Sequence, residues 1–267
     1  MPNQDLRVSV VQAATAWHDP PANRALYGGL ARPLAGQTDL VVLPETLTSG
    51  FSNEAIGDAE GMDGESVAWM RGLADELDAA VTGSLVIREG ERVFNRLIFA
   101  TPGGGLAHYD KRHLFRMARE HERYAMGGPR TVVEWRGWRI CPQVCYDLRF
   151  PVYARNLFDV AADRFDYDLI LWVANWPAAR RYAWQTLLRA RAIENLACVV
   201  GVNRVGTDGN DIAYAGDSVV LDAVGQPLLE LGAQEQVATA RLSAAALQAH
   251  RQRFPAQLDA DRFALLD

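Results

Sequence analysis

Apolar and polar positions change period several times along the chain. Leu6 to Gln12 reads as a short strand, and Asp19 to Leu34 as a helix opened by paired prolines. Leu40 to Leu43 is a four-residue apolar run that stops at once in Pro44-Glu45-Thr46. Gly50 to Gly64 is glycine-rich and acidic, hence a loop, after which Ser66 to Leu77 takes a helical period and Val81 to Ile87 returns to strand. Val93 to Ala100, the turn P-G-G-G and Leu106 to Tyr109 predict a hairpin. Asp110 to Arg130 is long, polar and without period, and such connections are more often functional than idle.

Thr131 to Val144 gives two strands around the W-R-G-W turn, and Pro151 suits the first turn of a helix with Asp147 as cap or turn residue before it. Asp168 to Ala174 is a strand. Arg180 to Asn195 is a helix with Trp184, Leu187, Leu188 and Arg191 on one face and an Arg191–Glu194 ion pair at i,i+3. Leu196 to Arg204, Ala213 to Leu221, Pro227 to Leu231 and Val237 to Leu242 are strands broken by glycine turns, and Ser243 to Arg253 is a capped helix before a polar tail. No repeat, low-complexity tract or proline-rich linker interrupts the run. One domain over residues 1–267, a layered α/β sandwich, is the simplest organisation.

Bulk properties narrow the class. A chain of 267 residues, 49% apolar, can bury about 70–75% of its unfolded surface without a staple. Three cysteines argue against a disulfide framework and for a reducing compartment, expected to be the cytoplasm. The first residues carry charges where a secretory signal needs an apolar run, and the longest apolar stretch, Leu169 to Ala174, is far too short to span a membrane. A net charge of −6 disfavours nucleic acid or an anionic membrane as partner. What remains is an enzyme or binding protein for small molecules.

Cys145, in R-I-C-P-Q-V-C-Y-D-L-R-F-P, falls where a buried strand turns sharply. Such a bend exposes a nucleophile and leaves the next N–H, that of Tyr146, free to hold an anion. A thiol at neutral pH is only a few per cent ionised and needs a base or a positive field. None of the five histidines lies in a Cys-His pattern, and neither H-E-x-x-H nor C-x-x-C occurs, so no metal or cofactor is expected. Two other charges stand at strand ends. Glu45 closes V-V-L-P-E, where a carboxylate aimed into a cleft is costly unless used or paired, and Lys111 closes A-H-Y-D-K. Either alone reads as a solvated strand-end charge. Together with Cys145 they suggest a site, since sites gather at the strand ends of α/β domains.

L-P-E-T-L-T-S-G-F around Glu45, Y-D-K-R-H-L-F around Lys111 and V-C-Y-D-L-R-F-P around Cys145 resemble, in order, the three signatures of the nitrilase superfamily of carbon–nitrogen hydrolases. C-Y-D-L-R-F-P, A-N-W-P at Ala174 to Pro177 and A-R-A-I-E-N at Ala190 to Asn195 resemble its omega-amidase branch, especially the bacterial members. The resemblance implies a four-layer αββα sandwich that commonly forms a homodimer. It makes Glu45 the base, Lys111 the oxyanion partner and Cys145 the nucleophile, and it calls for a second glutamate in the loop after the lysine, matched by Glu120 with Glu122 a close competitor. It further implies that 2-oxo dicarboxylic monoamides such as 2-oxoglutaramate and 2-oxosuccinamate are hydrolysed to the dicarboxylate and ammonia.

A substrate of that kind keeps a carboxylate, which suits a guanidinium fork. Arg149 and Arg116 lie nearest the motifs; the competing role for Arg149 is a structural ion pair with Asp147 or another carboxylate. Phe115, Met117, Tyr146, Phe150 and Trp176 are candidate walls of a narrow pocket, or core. The helix after Pro151 and the segment Phe254 to Asp267 are candidate contact surfaces by analogy. Hydrolysis of another amide or of an N-carbamoyl amino acid is the alternative enzyme. A non-catalytic scaffold is the alternative of another class.

Overall fold

The computed structural model describes residues 2–265. In chain order these form β1 (Leu6–Gln12), α1 (Pro20–Ala31), β2 (Leu40–Val42), α2 (Glu65–Leu77), β3 (Ala80–Glu89), β4 (Arg92–Thr101), β5 (Gly105–Asp110), β6 (Val133–Trp135) and β7 (Trp138–Val144). There follow α3 (Pro151–Ala154), β8 (Phe158–Asp159), β9 (Arg164–Phe165), β10 (Leu169–Ala174), α4 (Arg181–Asn195) and β11 (Cys198–Asn203). The chain closes with β12 (Val205–Thr207), β13 (Ala213–Ala215), β14 (Val219–Leu221), β15 (Pro227–Glu230), β16 (Gln236–Leu242) and α5 (Ala244–Arg253).

Two six-stranded sheets carry the architecture, in the orders β16-β1-β2-β3-β4-β5 and β15-β14-β11-β10-β7-β6. Side chains of both sheets meet in one apolar layer, for example Leu6, Val8 and Val10 of β1 with Leu169, Leu171 and Val173 of β10. The outer face of the first sheet is covered by Tyr27 and Ala31 of α1 and by Val67, Met70, Leu73, Ala74 and Leu77 of α2. The outer face of the second is covered by Trp184, Leu188 and Ala192 of α4. The fold is thus an αββα sandwich.

That layering explains why the central strands read as unbroken apolar runs. In β10 all six residues are buried: Leu169, Leu171 and Val173 face the other sheet, while Ile170, Trp172 and Ala174 face α4. Gly201 of β11 is what lets α4 approach, because a Cβ there would lie 2.5 Å from Leu188 Cδ1 and 2.9 Å from Trp184 Cζ2. The W-R-G-W turn is a two-residue hairpin with Arg136 and Gly137 at φ +46° and +76°.

Three expectations need correction, and one element had no forerunner in the sequence pattern. The chain after β7 is a 3₁₀ turn, Cys145–Arg149, and the helix begun by Pro151 lasts one turn, so Asp147 sits inside the turn rather than capping the helix. Leu196 does not open a strand; it ends α4 in the left-handed region at φ +48°. Ala213 to Leu221 is two strands, because Gly216 and Asp217 take φ +66° and +57° and redirect the chain from a small hairpin with β12 into the second large sheet. The β8–β9 hairpin, two residues a side, is too short to leave a period. No helix among the described residues is long and apolar enough to cross a membrane.

Candidate active site

Glu45, Lys111 and Cys145 follow β2, β5 and β7, so two come from one sheet and the third from the other. Glu45 is held by a continuation of the ladder beyond β2: Leu43 N–H donates to Thr82 O at 2.7 Å, and Thr46 N–H donates to Ser84 Oγ at 2.8 Å. Thr46 and Cys145 both sit at positive φ, +40° and +44°. Such backbone is costly for a residue with a Cβ and persists where the surroundings hold it, typically at sites. Beyond Cys145, Tyr146 lies in the first turn of a 3₁₀ helix, where an N–H has no partner within the helix.

Lys111 Nζ reaches Glu45 Oε1 at 3.0 Å and Glu120 Oε1 and Oε2 at 2.9 and 3.0 Å, and all three side chains are buried. Glu122 is exposed and pairs with Arg119 instead. Burial by itself would lower the Lys111 pKa, but Glu120 and Glu45 outweigh it and hold the ammonium well above its ordinary value. Burial raises Glu120, partly offset by Lys111 and by the Phe115 N–H that donates to Glu120 Oε2 at 2.6 Å. Burial, reinforced by the charge of Glu45 and opposed by Lys111, pushes the Cys145 thiol well up. The resting sulfur is therefore a protonated thiol, and its proton must leave for a base as attack occurs.

Two asparagines, Asn95 outside the motifs and Asn175 within A-N-W-P, complete the Glu45 environment. Asn95 of β4 donates from Nδ2 to Glu45 Oε1 at 2.7 Å, and its carbonyl accepts the Lys111 N–H at 3.0 Å. Asn175, just past β10, donates its N–H to Glu45 Oε2 at 2.6 Å and its Nδ2 to Glu45 O at 2.8 Å. The irregular segment after Lys111 is pinned at Gly127, whose N–H donates to Lys111 O at 2.9 Å; a Cβ there would lie 2.0 Å from the Asp110 carbonyl oxygen.

These groups border a cavity of about 230 Å³ lined by Lys111, Cys145 and Asn175 at one end and by Phe51, Phe115, Tyr146, Trp176 and Tyr214 along its walls. That is below the usual range for drug-sized ligands and suits a small molecule. Met117, Arg149 and Arg180 also line it. Arg149 lies over the Trp176 ring at 4.9 Å, and Arg180 over Phe115 at 5.5 Å with its Nη2 2.9 Å from Met117 Sδ. Neither guanidinium meets a carboxylate among the described residues.

The Arg149–Asp147 ion pair is absent, because the Asp147 oxygens are engaged by Tyr109, Val144 and His113. Phe150 does not line the cavity: in a 3₁₀ turn residues i and i+3 share an edge, which sends Tyr146 and Arg149 inward and Phe150 outward onto the His113 ring at 3.7 Å. Arg116 is exposed, outside the cavity wall. Arg180 escaped the sequence reading because its place at a helix start looked sufficient, although it follows A-N-W-P by only three residues.

Comparison with known proteins agrees with this geometry. A family profile described as carbon–nitrogen hydrolase matches residues 7–252. Omega-amidase YafV of Escherichia coli K12 is 47% identical over 261 residues, covering 97% of this chain and 98% of that one. The 2-oxoglutaramate amidase of Bacillus subtilis strain 168 is 31% identical over 207 residues, covering 76% and 78%. XC1258 from Xanthomonas campestris, a CN-hydrolase superfamily protein whose crystal structure has an arsenic adduct in the active site, is 64% identical with a TM-score of 0.96, covering 98% of this chain and 99% of that one.

Proposed function

The chain belongs to the carbon–nitrogen hydrolase family, and from that premise we propose that it is an omega-amidase acting on 2-oxo dicarboxylic monoamides such as 2-oxoglutaramate and 2-oxosuccinamate. The observation that carries the reading is the cavity itself. It presents a thiol beside a buried carboxylate–ammonium–carboxylate chain, and its lining holds two guanidiniums that meet no carboxylate among the described residues. A linear amide with a carboxylate at its far end matches both.

Glu45 takes the thiol proton as Cys145 Sγ bonds to the amide carbon. Charge moves to the carbonyl oxygen, where the Lys111 ammonium and the Tyr146 N–H receive it; one such donor is worth about 3–4 kcal/mol of barrier. Protonated Glu45 gives its proton to the departing nitrogen, the C–N bond breaks, and ammonia leaves a thioester. Water, deprotonated by Glu45, then attacks the thioester, and the proton returns to sulfur as the acid departs. Glu120 holds Lys111 in line from the side away from Glu45.

Arg149 and Arg180 are the candidate partners of the substrate carboxylate, with Phe115, Met117, Tyr146 and Trp176 confining the carbon chain. The chain works as one domain in the cytoplasm, as a homodimer whose contacts include the helix after Pro151, with exposed Val152, and the C-terminal segment, with exposed Phe254, Leu258 and Phe263; light scattering at a protomer mass of 29.4 kDa tests the dimer. Residues 266 and 267 of the Phe254–Asp267 segment lie outside the described residues. Ammonia release from a panel of oxo-acid monoamides, carbamoyl amino acids, uncharged aliphatic amides and nitriles tests the activity. The monoamides should turn over fastest, and Arg180→Lys and Arg149→Lys should lose that advantage while sparing the uncharged amides. Faster release from a carbamoyl amino acid would overturn the assignment.

A further inference from the structure

Asp147 is fully buried, yet it neither lines the cavity nor meets an arginine. Its Oδ2 accepts from the Tyr109 hydroxyl at 2.8 Å and from the Val144 N–H at 3.1 Å. Its Oδ1 accepts from the His113 N–H at 2.9 Å and lies 2.7 Å from His113 Nδ1. An ionised carboxylate only accepts, so that imidazole carries its proton on Nδ1. Four donors thus converge on one carboxylate, a fully used set of charge-assisted bonds.

The origin of those donors is informative. Tyr109 and His113 stand two residues either side of Lys111, and Val144 immediately precedes Cys145. The network therefore runs from β5 in one sheet to β7 in the other, bridging the two sheets that carry the ammonium and the nucleophile. It is stiff at both ends. Burial, with the charge of Asp147 adding, pushes the Tyr109 phenol well above its ordinary value, so it stays a donor. The His113 ring lies flat on Phe150 and edge-on to Tyr153 at 5.0 Å, which locks the far side of the nucleophile turn. Cys145 at φ +44° needs such support, and the bond to the Val144 N–H is made one residue away. Stability alone does not call for a carboxylate here, because well-packed apolar side chains often replace buried charge without loss.

We propose that Asp147 is a positioning residue: through Tyr109, His113 and Val144 it sets the register between the Lys111 ammonium and the Cys145 thiol across the two sheets. The inference rests on the roles given above to those two groups. It predicts that loosening the network misplaces the nucleophile relative to the oxyanion donor without altering substrate contacts.

The test compares Tyr109→Phe, Asp147→Asn and the double variant in kcat and KM for the monoamide that the wild type hydrolyses, in the rate of Cys145 alkylation by iodoacetamide, and in melting temperature. Asp147→Asn should lower kcat about a hundredfold, the scale of an ångström misplacement, with KM within about threefold. Tyr109→Phe should lower kcat about tenfold, and the double variant should be no worse than Asp147→Asn, since both act through one link. Wild-type kcat in folded Asp147→Asn, a loss confined to KM, or losses that multiply in the double variant would each overturn the proposal. Should Asp147→Asn fail to fold, Tyr109→Phe decides, and wild-type kcat there overturns it. A wild-type protein inert toward every amide would defeat the proposed function separately. Alkylation then carries the test: slower modification of Cys145 in Tyr109→Phe supports the register role, and an unchanged rate refutes it.

Discussion

Replacing Lys111 by Met keeps most of the side-chain volume and removes the cation shared by two buried carboxylates. At 2.9–3.0 Å and an effective dielectric near 20, each Lys111–carboxylate attraction is about 5–6 kcal/mol before the cost of taking the ions out of water. Stripping one partner from a buried ion group typically leaves a net loss of about 3–5 kcal/mol. The variant has a cheaper escape, which is to hold a proton on Glu120. That carboxyl is already raised by burial, and Lys111 is the chief influence holding it down. Glutamate in the unfolded chain ionises near 4.5, so keeping one proton at pH 7 costs about 2.5 × 1.36, or about 3.4 kcal/mol. The sign follows from linkage. The folded variant binds more protons than its unfolded chain above pH 4.5, so stability is full below that value and falls as pH rises toward the folded pKa. Urea denaturation of wild type and Lys111→Met between pH 5 and 8 should therefore give curves that diverge, the variant losing roughly 1.4 kcal/mol more per pH unit. Parallel curves would refute the reasoning, because the ammonium would then not be what holds down the proton affinity of Glu120.

Other outcomes are open to direct measurement. Cys145→Ala should abolish ammonia release while leaving the melting temperature within a few degrees, because the small side chain is only partly buried and lines the cavity. Iodoacetamide at neutral pH should label Cys145 first by peptide mass spectrometry, since it lines the cavity while Cys141 and Cys198 are buried; labelling spread over all three would favour a scaffold over an enzyme. Asn95→Ala removes the 2.7 Å donor to Glu45 Oε1 and should lower kcat about tenfold or more with little change in KM. Gly201→Ala should cost about 1–3 kcal/mol in urea denaturation, because its Cβ would press α4 away from the second sheet.

The fold was legible where burial on both faces or one helical stripe left a periodic trace. Leu6–Gln12, the two-residue hairpin at Arg136–Gly137 and the stripe through Trp184, Leu188 and Arg191 all follow from local pattern. What did not show was written in backbone conformation. Leu196 and Asp217 each adopt positive φ without being glycine, so neither residue type gives warning of its conformation. Tertiary contacts impose those turns, and a window of a few residues does not contain the contacts.

The site divides along the same line. Glu45, Lys111 and Cys145 announce themselves because a charge or thiol ending an apolar strand needs a reason to be there. Glu120 and Glu122 are indistinguishable in sequence, and only the 3₁₀ turn that buries one and exposes the other separates them. Asn95 lies outside every motif, and Asn175 and Asp147, although inside A-N-W-P and C-Y-D-L-R-F-P, give no local sign of their partners Glu45 and Tyr109, because these bonds join residues 50, 130 and 38 positions apart. Their distribution across the two sheets has a consequence for how the site holds together. Base, ammonium and Asn95 belong to the first sheet, nucleophile and Asn175 to the second, so the reacting groups meet only while the layer between the sheets stays packed. The apolar layer fixes the separation of the sheets but, being non-directional, not their sliding. Hydrogen bonds that cross the layer, from Asn175 to Glu45 and from Tyr109 to Asp147, are directional and oppose that sliding. Hydrophobic burial therefore assembles the sandwich, while a few polar bonds set the alignment on which attack by Cys145 depends.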